Sequence, residues 1–102
     1  MRRVVAYVPD LMDRSKVGAA GNVTFVTAIG DLAAAASGAD VVVVDLTRPG
    51  VLDAVPSIGA PVIGFANHTR RELLDAARAA GCAEALPRSA FFSRLEELVG
   101  DG

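Results

Sequence analysis

One cysteine, Cys82, in 102 residues leaves no internal disulfide and no cysteine-cluster metal site. It stands between Gly81 and Ala83, where a free cysteine reads as a small buried apolar residue, and such usage fits a reducing cytoplasm. Basic charge is lacking too. Ten Lys and Arg against 12 Asp and Glu give a net charge of −2, whereas a nucleic-acid binder is expected to carry a basic stripe. Arg2 and Arg3, beside the first strand, read as solvated. Apolar stretches stay far shorter than a membrane span, so no membrane partner is expected. The stretch behind the N-terminal arginines is brief and ends at Pro9-Asp10, so no signal peptide is read. No Gly-x-Gly-x-x-Gly follows the first strand, and Gly18 and Gly21 do not keep phosphate-loop spacing. Ser-His-acid, Cys-His and metalloprotease spacings are absent as well, which leaves no sequence case for an enzyme.

Apolar residues are abundant instead, at 52% of the chain. That suits a sheet covered on both faces, built as one domain over residues 1–102. The most informative segment is Asp40-Val41-Val42-Val43-Val44-Asp45-Leu46-Thr47-Arg48-Pro49-Gly50. Four valines without alternation are the pattern of a central parallel strand, and the Pro-Gly turn closes it. Asp45 is thereby delivered to the C-terminal edge of the sheet, where open α/β sheets bind ligands.

Other strands are read at Val4–Val8, Val23–Val26, Pro61–Phe65 and Ala83–Leu86. The second alternates, as an edge strand does. Helices are read at Leu11 to about Ala20, Asp31–Ser37 and Ser89–Val99, with barely a turn and a half at Val51–Val55. Thr69-Arg70-Arg71-Glu72 has the pattern of a capping box. The helix behind it puts Leu73, Leu74, Ala77 and Ala80 on one face and stops at Gly81. In the last helix Phe91, Leu95, Leu98 and Val99 form the inward face. Strands alternating with helices predict a doubly wound, five-stranded parallel sheet of the α/β class.

The order of elements and several local strings resemble the receiver domains of two-component response regulators. Asp40 through Gly50 resembles that family's third strand and following loop. Pro61-Val62-Ile63 and the helix to Gly81 resemble its fourth strand and helix, and Leu86-Pro87-Arg88-Ser89-Ala90-Phe91 resembles the end of its fifth strand. Asn67-His68 together with Arg88-Ser89-x-Phe91 is similar to atypical stand-alone receivers. The resemblance implies a flavodoxin-like, three-layer α/β/α fold. It also implies a phosphoryl acceptor at Asp45 and a divalent cation held by two acids after the first strand, by Asp45 and by the Thr47 carbonyl. The two acid positions read Pro9 and Asp10, so one ligand is missing. Ala66 stands where the family has a hydroxyl, and Arg88 where it has a lysine.

Magnesium is usually held by one or two carboxylates plus phosphate, so the loss of one weakens the site. A planar guanidinium at Arg88 is suited to grip the Asp45 carboxylate. The chain is therefore read as a degenerate receiver acting in the cytoplasm by protein contact, with no cofactor beyond weak Mg2+ at Asp10, Asp45 and Thr47. Its contact face is expected on the fourth helix, fifth strand and fifth helix. Phe92 is the expected anchor there and Arg78 lies on the same face, to meet a partner or a second copy. Two rival readings stay open: a working receiver phosphorylated on Asp45, and a small-anion site ringed by Asp45, Arg48, Asn67, His68, Arg88 and Ser89. Position alone leaves Asp45 open between a site residue and a strand end paired with Arg88. Ser89 reads equally as an N-cap, and Asp13, Arg14 and Lys16 read as a solvated helix face.

Overall fold

The structure is a computed structural model that describes residues 2–100. The valine run forms the central strand β3, Val41–Asp45, buried at every position. It is flanked by β1 (Val4–Tyr7) and β4 (Val62–Ala66), with β2 (Val23–Phe25) and β5 (Glu84–Pro87) at the edges, in the order β2-β1-β3-β4-β5. All four pairings are parallel. Parallel strands need crossovers, and the helices that supply them cover both faces. They are α1 (Leu11–Ala20), α2 (Leu32–Ala35), α3 (Val51–Ala54), α4 (Arg71–Ala80), α5 (Arg88–Ser93) and α6 (Leu95–Val99).

Alternation along each strand divides the interior into two cores. Val42 and Val44 point into one with Leu32, Val55, Leu74 and Ala77. Val41 and Val43 point into the other with Val17, Phe65, Phe91, Leu95 and Val99. The expected inward faces of α4 and of the last helical segment are both present, and Gly81 ends α4 in the left-handed region at φ 118°.

Local expectations fail where a side chain offers the backbone another partner. The capping box does not form. The Asn67 carboxamide oxygen takes both the backbone N–H and the hydroxyl of Thr69, at 3.0 Å each. Helix α4 therefore starts at Arg71, without a side-chain cap. Ser89 is not an N-cap either, because α5 starts one residue earlier, behind Pro87. The single last helix is two. Arg94 leaves the helical region at φ −105°, ψ 12°, and its guanidinium ties the break to Glu84 of β5 and to Glu97. Among the described residues no helix is long and apolar enough to cross a membrane.

Candidate functional site

The sheet order places β2 and β3 on opposite sides of β1. The connections from β1 and β3 therefore part at their C-terminal ends and leave a crevice. Asp10, Met12, Asp13 and Lys16 follow β1, Asp45 and Arg48 end and follow β3, and Arg88 follows β5. Together they line a pocket of about 400 Å3. Three acids face three bases there.

Asp45 is 5% exposed. Its Oδ1 accepts the Thr47 backbone N–H at 3.0 Å and the Thr47 hydroxyl at 2.7 Å. Its Oδ2 meets Arg48 Nε at 3.4 Å. The acid is thus satisfied within its own loop by an Asx-type turn, a local arrangement that Asp favours. Asp10 is exposed and caps α1, its Oδ1 accepting the N–H groups of Met12 and Asp13 at 3.0 Å each.

Arg88 does not grip Asp45. Its guanidinium forks onto Asp13, with Nη1 on Oδ2 at 2.8 Å and Nη2 on Oδ1 at 2.6 Å. The same guanidinium lies over the rings of Phe65 and Phe92, at 5.5 and 5.2 Å from their centroids. Asp13 is buried, which overturns its reading as part of a solvated face. The hydrogen-bonded Arg88 outweighs desolvation and holds the Asp13 carboxyl below its ordinary range, while Asp13 raises Arg88. Geometry explains the exchange of partners: the α1 turn brings Asp13 to the β5 end of the crevice, and Thr47 and Arg48 have already taken Asp45. A signal for this existed. Asp13 lies four residues before Val17, and these two are the buried positions of α1. The apolar residues that open the helix, Leu11 and Met12, are instead 78% and 73% exposed.

The other expected edge residues part company. His68 lines a separate pocket of about 260 Å3 with Arg71, Leu74, Asp75, Arg78 and Pro87. Asn67 is exposed and spent on Thr69, and Ser89 is exposed on the first turn of α5. His68 and Arg88 thus line different pockets, and neither of these two pockets is lined by Asn67 or Ser89. Phe92 and Arg78 do not share a face. Arg78 bridges Asp75 at 2.9 Å and the Ala85 carbonyl at 2.7 Å, pinning α4 to the edge strand. Phe92 lies toward α1, under the Lys16 ammonium at 5.1 Å. It is half-buried, packed edge-on against Phe91 and Phe65 at 4.9 and 5.5 Å, so both neighbouring phenylalanines reach the core.

Each carboxylate of the crevice pocket already has protein partners. Asp10 Oδ1 is committed to two backbone amides, Asp45 Oδ1 to Thr47, and Asp13 to Arg88. No group of three or more His, Cys, Asp or Glu side chains among the described residues is arranged to hold a metal ion.

No family model and no curated protein sequence matches the chain. Solved structures do. The chemotaxis response regulator CheY4 of Vibrio cholerae is similar at a TM-score of 0.76 and 18% identity, over 97% of this chain and 99% of that one. The cyanobacterial phytochrome response regulator RcpA is similar at 0.74 and 14%, over 97% and 89%. The receiver domain of sensor histidine kinase PA1611 from Pseudomonas aeruginosa PAO1, with a magnesium ion in its active-site cleft, is similar at 0.73 and 13%, over 98% of each chain. The likeness is one of fold: this chain has the five-stranded receiver fold.

Proposed function

We propose that the chain is a receiver-like signalling module that works by protein contact in a reducing cytoplasm, without catalysis, without phosphorylation of Asp45 and without resident Mg2+. The observation that carries this reading is the engagement of Asp45 by its own loop, Thr47 on one oxygen and Arg48 on the other. Pro9 and Ala66, at the positions where the family has an acid and a hydroxyl, support it. So does Arg88, which is spent on Asp13 rather than held ready for a phosphoryl group. The even balance of acids and bases around the pocket speaks against a small-anion site. Free, buried Cys82, its thiol pushed up by burial, supports the compartment.

Beryllofluoride with Mg2+ tests the reading, because together they occupy a working receiver's acceptor as a phosphoryl group would. The expected result is an unchanged Tm. A ligand present at 100 times its dissociation constant adds about 2.7 kcal/mol, and each kcal/mol moves the Tm of a domain this size by about 4–8 °C. A stabilisation of that size that vanishes in Asp45→Asn establishes the phosphorylated receiver instead.

A further inference from the structure

The pocket of about 260 Å3 between α4 and the end of β5 differs in charge from the crevice. It is smaller than the sites of about 300–1,000 Å3 that enclose drug-sized ligands, so its scale is that of a small ion or of one group of a larger molecule. Its polar lining is two guanidiniums, Arg71 and Arg78, the His68 imidazole, and a single carboxylate, Asp75. The positive charge is not cancelled from within. Asp75 Oδ1 is already held by Arg78 at 2.9 Å. Arg78 is fixed as well by the Ala85 carbonyl at 2.7 Å, and a guanidinium bound at these two points has further N–H groups to give. Arg71 and His68 have no hydrogen bond or ion pair among the described residues. Arg71 stands four residues before Asp75, the less favourable order for an ion pair along a helix. The imidazole offers at least one N–H in either protonation state.

We propose that this pocket binds a phosphate-type oxyanion, free or carried as a phosphate monoester. Guanidinium forks match phosphate oxygens in geometry and charge. Donors on His68, ahead of the helix, and on Arg71 and Arg78, along it, reach the pocket from separate points. Their ligand needs oxygens facing in several directions, which a tetrahedral phosphate has and a planar carboxylate lacks. The crevice offers no such surplus, since its acids offset its bases. This assignment goes beyond the contact-module reading and does not depend on the state of Asp45.

An NMR titration of the full chain with inorganic phosphate, at constant ionic strength, tests it. Amides of α4 and of the end of β5 are expected to shift together and saturate, with a Kd on the order of 1 mM. Arg71→Gln changes an exposed, unpaired residue, so the fold is kept, and binding is expected to weaken about tenfold. Arg78→Gln is expected to weaken it as much, and where that variant loosens β5, Arg71→Gln decides alone. No saturation by about 10 mM, shifts centred on the crevice, or binding unchanged in Arg71→Gln overturns the site. Acetate bound as tightly as phosphate overturns the ligand class. Free phosphoserine compared with a phosphoserine peptide separates the two sources: tighter binding of the peptide means a phosphorylated partner, and equal binding a small phosphate ester. The beryllofluoride result turns on Asp45 and is read separately, because a stabilisation from this pocket persists in Asp45→Asn.

Discussion

At Asp13 a side chain only 6% exposed stays ionised because a guanidinium meets both of its oxygens. Removing one partner from such a pair strands the other. Arg88 is 40% exposed, so Arg88→Ala is expected to cost about 2–3 kcal/mol, between the values for exposed and buried pairs. A double-mutant cycle on Asp13 and Arg88 should show clear coupling, and one on Asp45 and Arg88 almost none. The reverse pattern would return Arg88 to Asp45. The pair also sets an acid limit. Arg88 lowers the Asp13 pKa below its ordinary 3.8, so its stabilisation is complete above that value and is lost as pH falls through the folded pKa. Urea midpoints measured from about pH 4 downward should therefore fall less steeply in Asp13→Asn than in wild type. Equal slopes would mean that the pair contributes nothing.

Helix α5 is short, and its aromatic pair does two jobs. Phe91 is fully buried, stacked on Phe65 at 4.5 Å, whereas Phe92 covers the same ring edge-on from the side of α1. Phe91→Ala is expected to cost about 3–5 kcal/mol, the usual cost of truncating a buried aromatic, and Phe92→Ala clearly less. Chemical denaturation of the two variants checks this, and equal losses would mean that half-buried Phe92 contributes as much to the packing as Phe91. Arg94 shows why the last helical segment could not be read as one piece. Its helical neighbours keep the right spacing, but its own charge is drawn to Glu84 and Glu97, and the backbone breaks beneath it. The capping box failed for a related reason, since Asn67 lies two residues from Thr69 and competes for the same groups.

Across the whole molecule, stability is unevenly placed. Strands β1, β3 and β4 form the middle of the sheet, and β3 is sealed between the two cores. Edge strand β2 has three residues and no fully buried one, and α2 has four residues. Local opening starts where few apolar contacts must be broken. Amides of β3 are thus expected to exchange with solvent only by global unfolding, and those of β2 and α2 by cheaper local opening. Native-state hydrogen exchange at increasing denaturant checks this, and equal opening free energies for β2 and β3 would contradict it.

The sequence by itself determined the frame. A run such as Val41–Val44 has no exposed face to offer, so it becomes a central strand whatever surrounds it. Alternation at Val23–Phe25 and the left-handed Gly81 are likewise local facts that tertiary packing left standing. Asp45 at the strand end follows from the same frame. Tertiary structure decided the partners of the charged groups, because a guanidinium reaches any acid within its arc and sequence distance says nothing about which. Asp13 and Arg88 stand 75 residues apart and meet only because α1 and the β5–α5 turn flank one crevice. Asp45 lies three residues from Arg48, and local geometry claimed it first. The site was therefore legible as a place, and its electrostatics were settled by the fold.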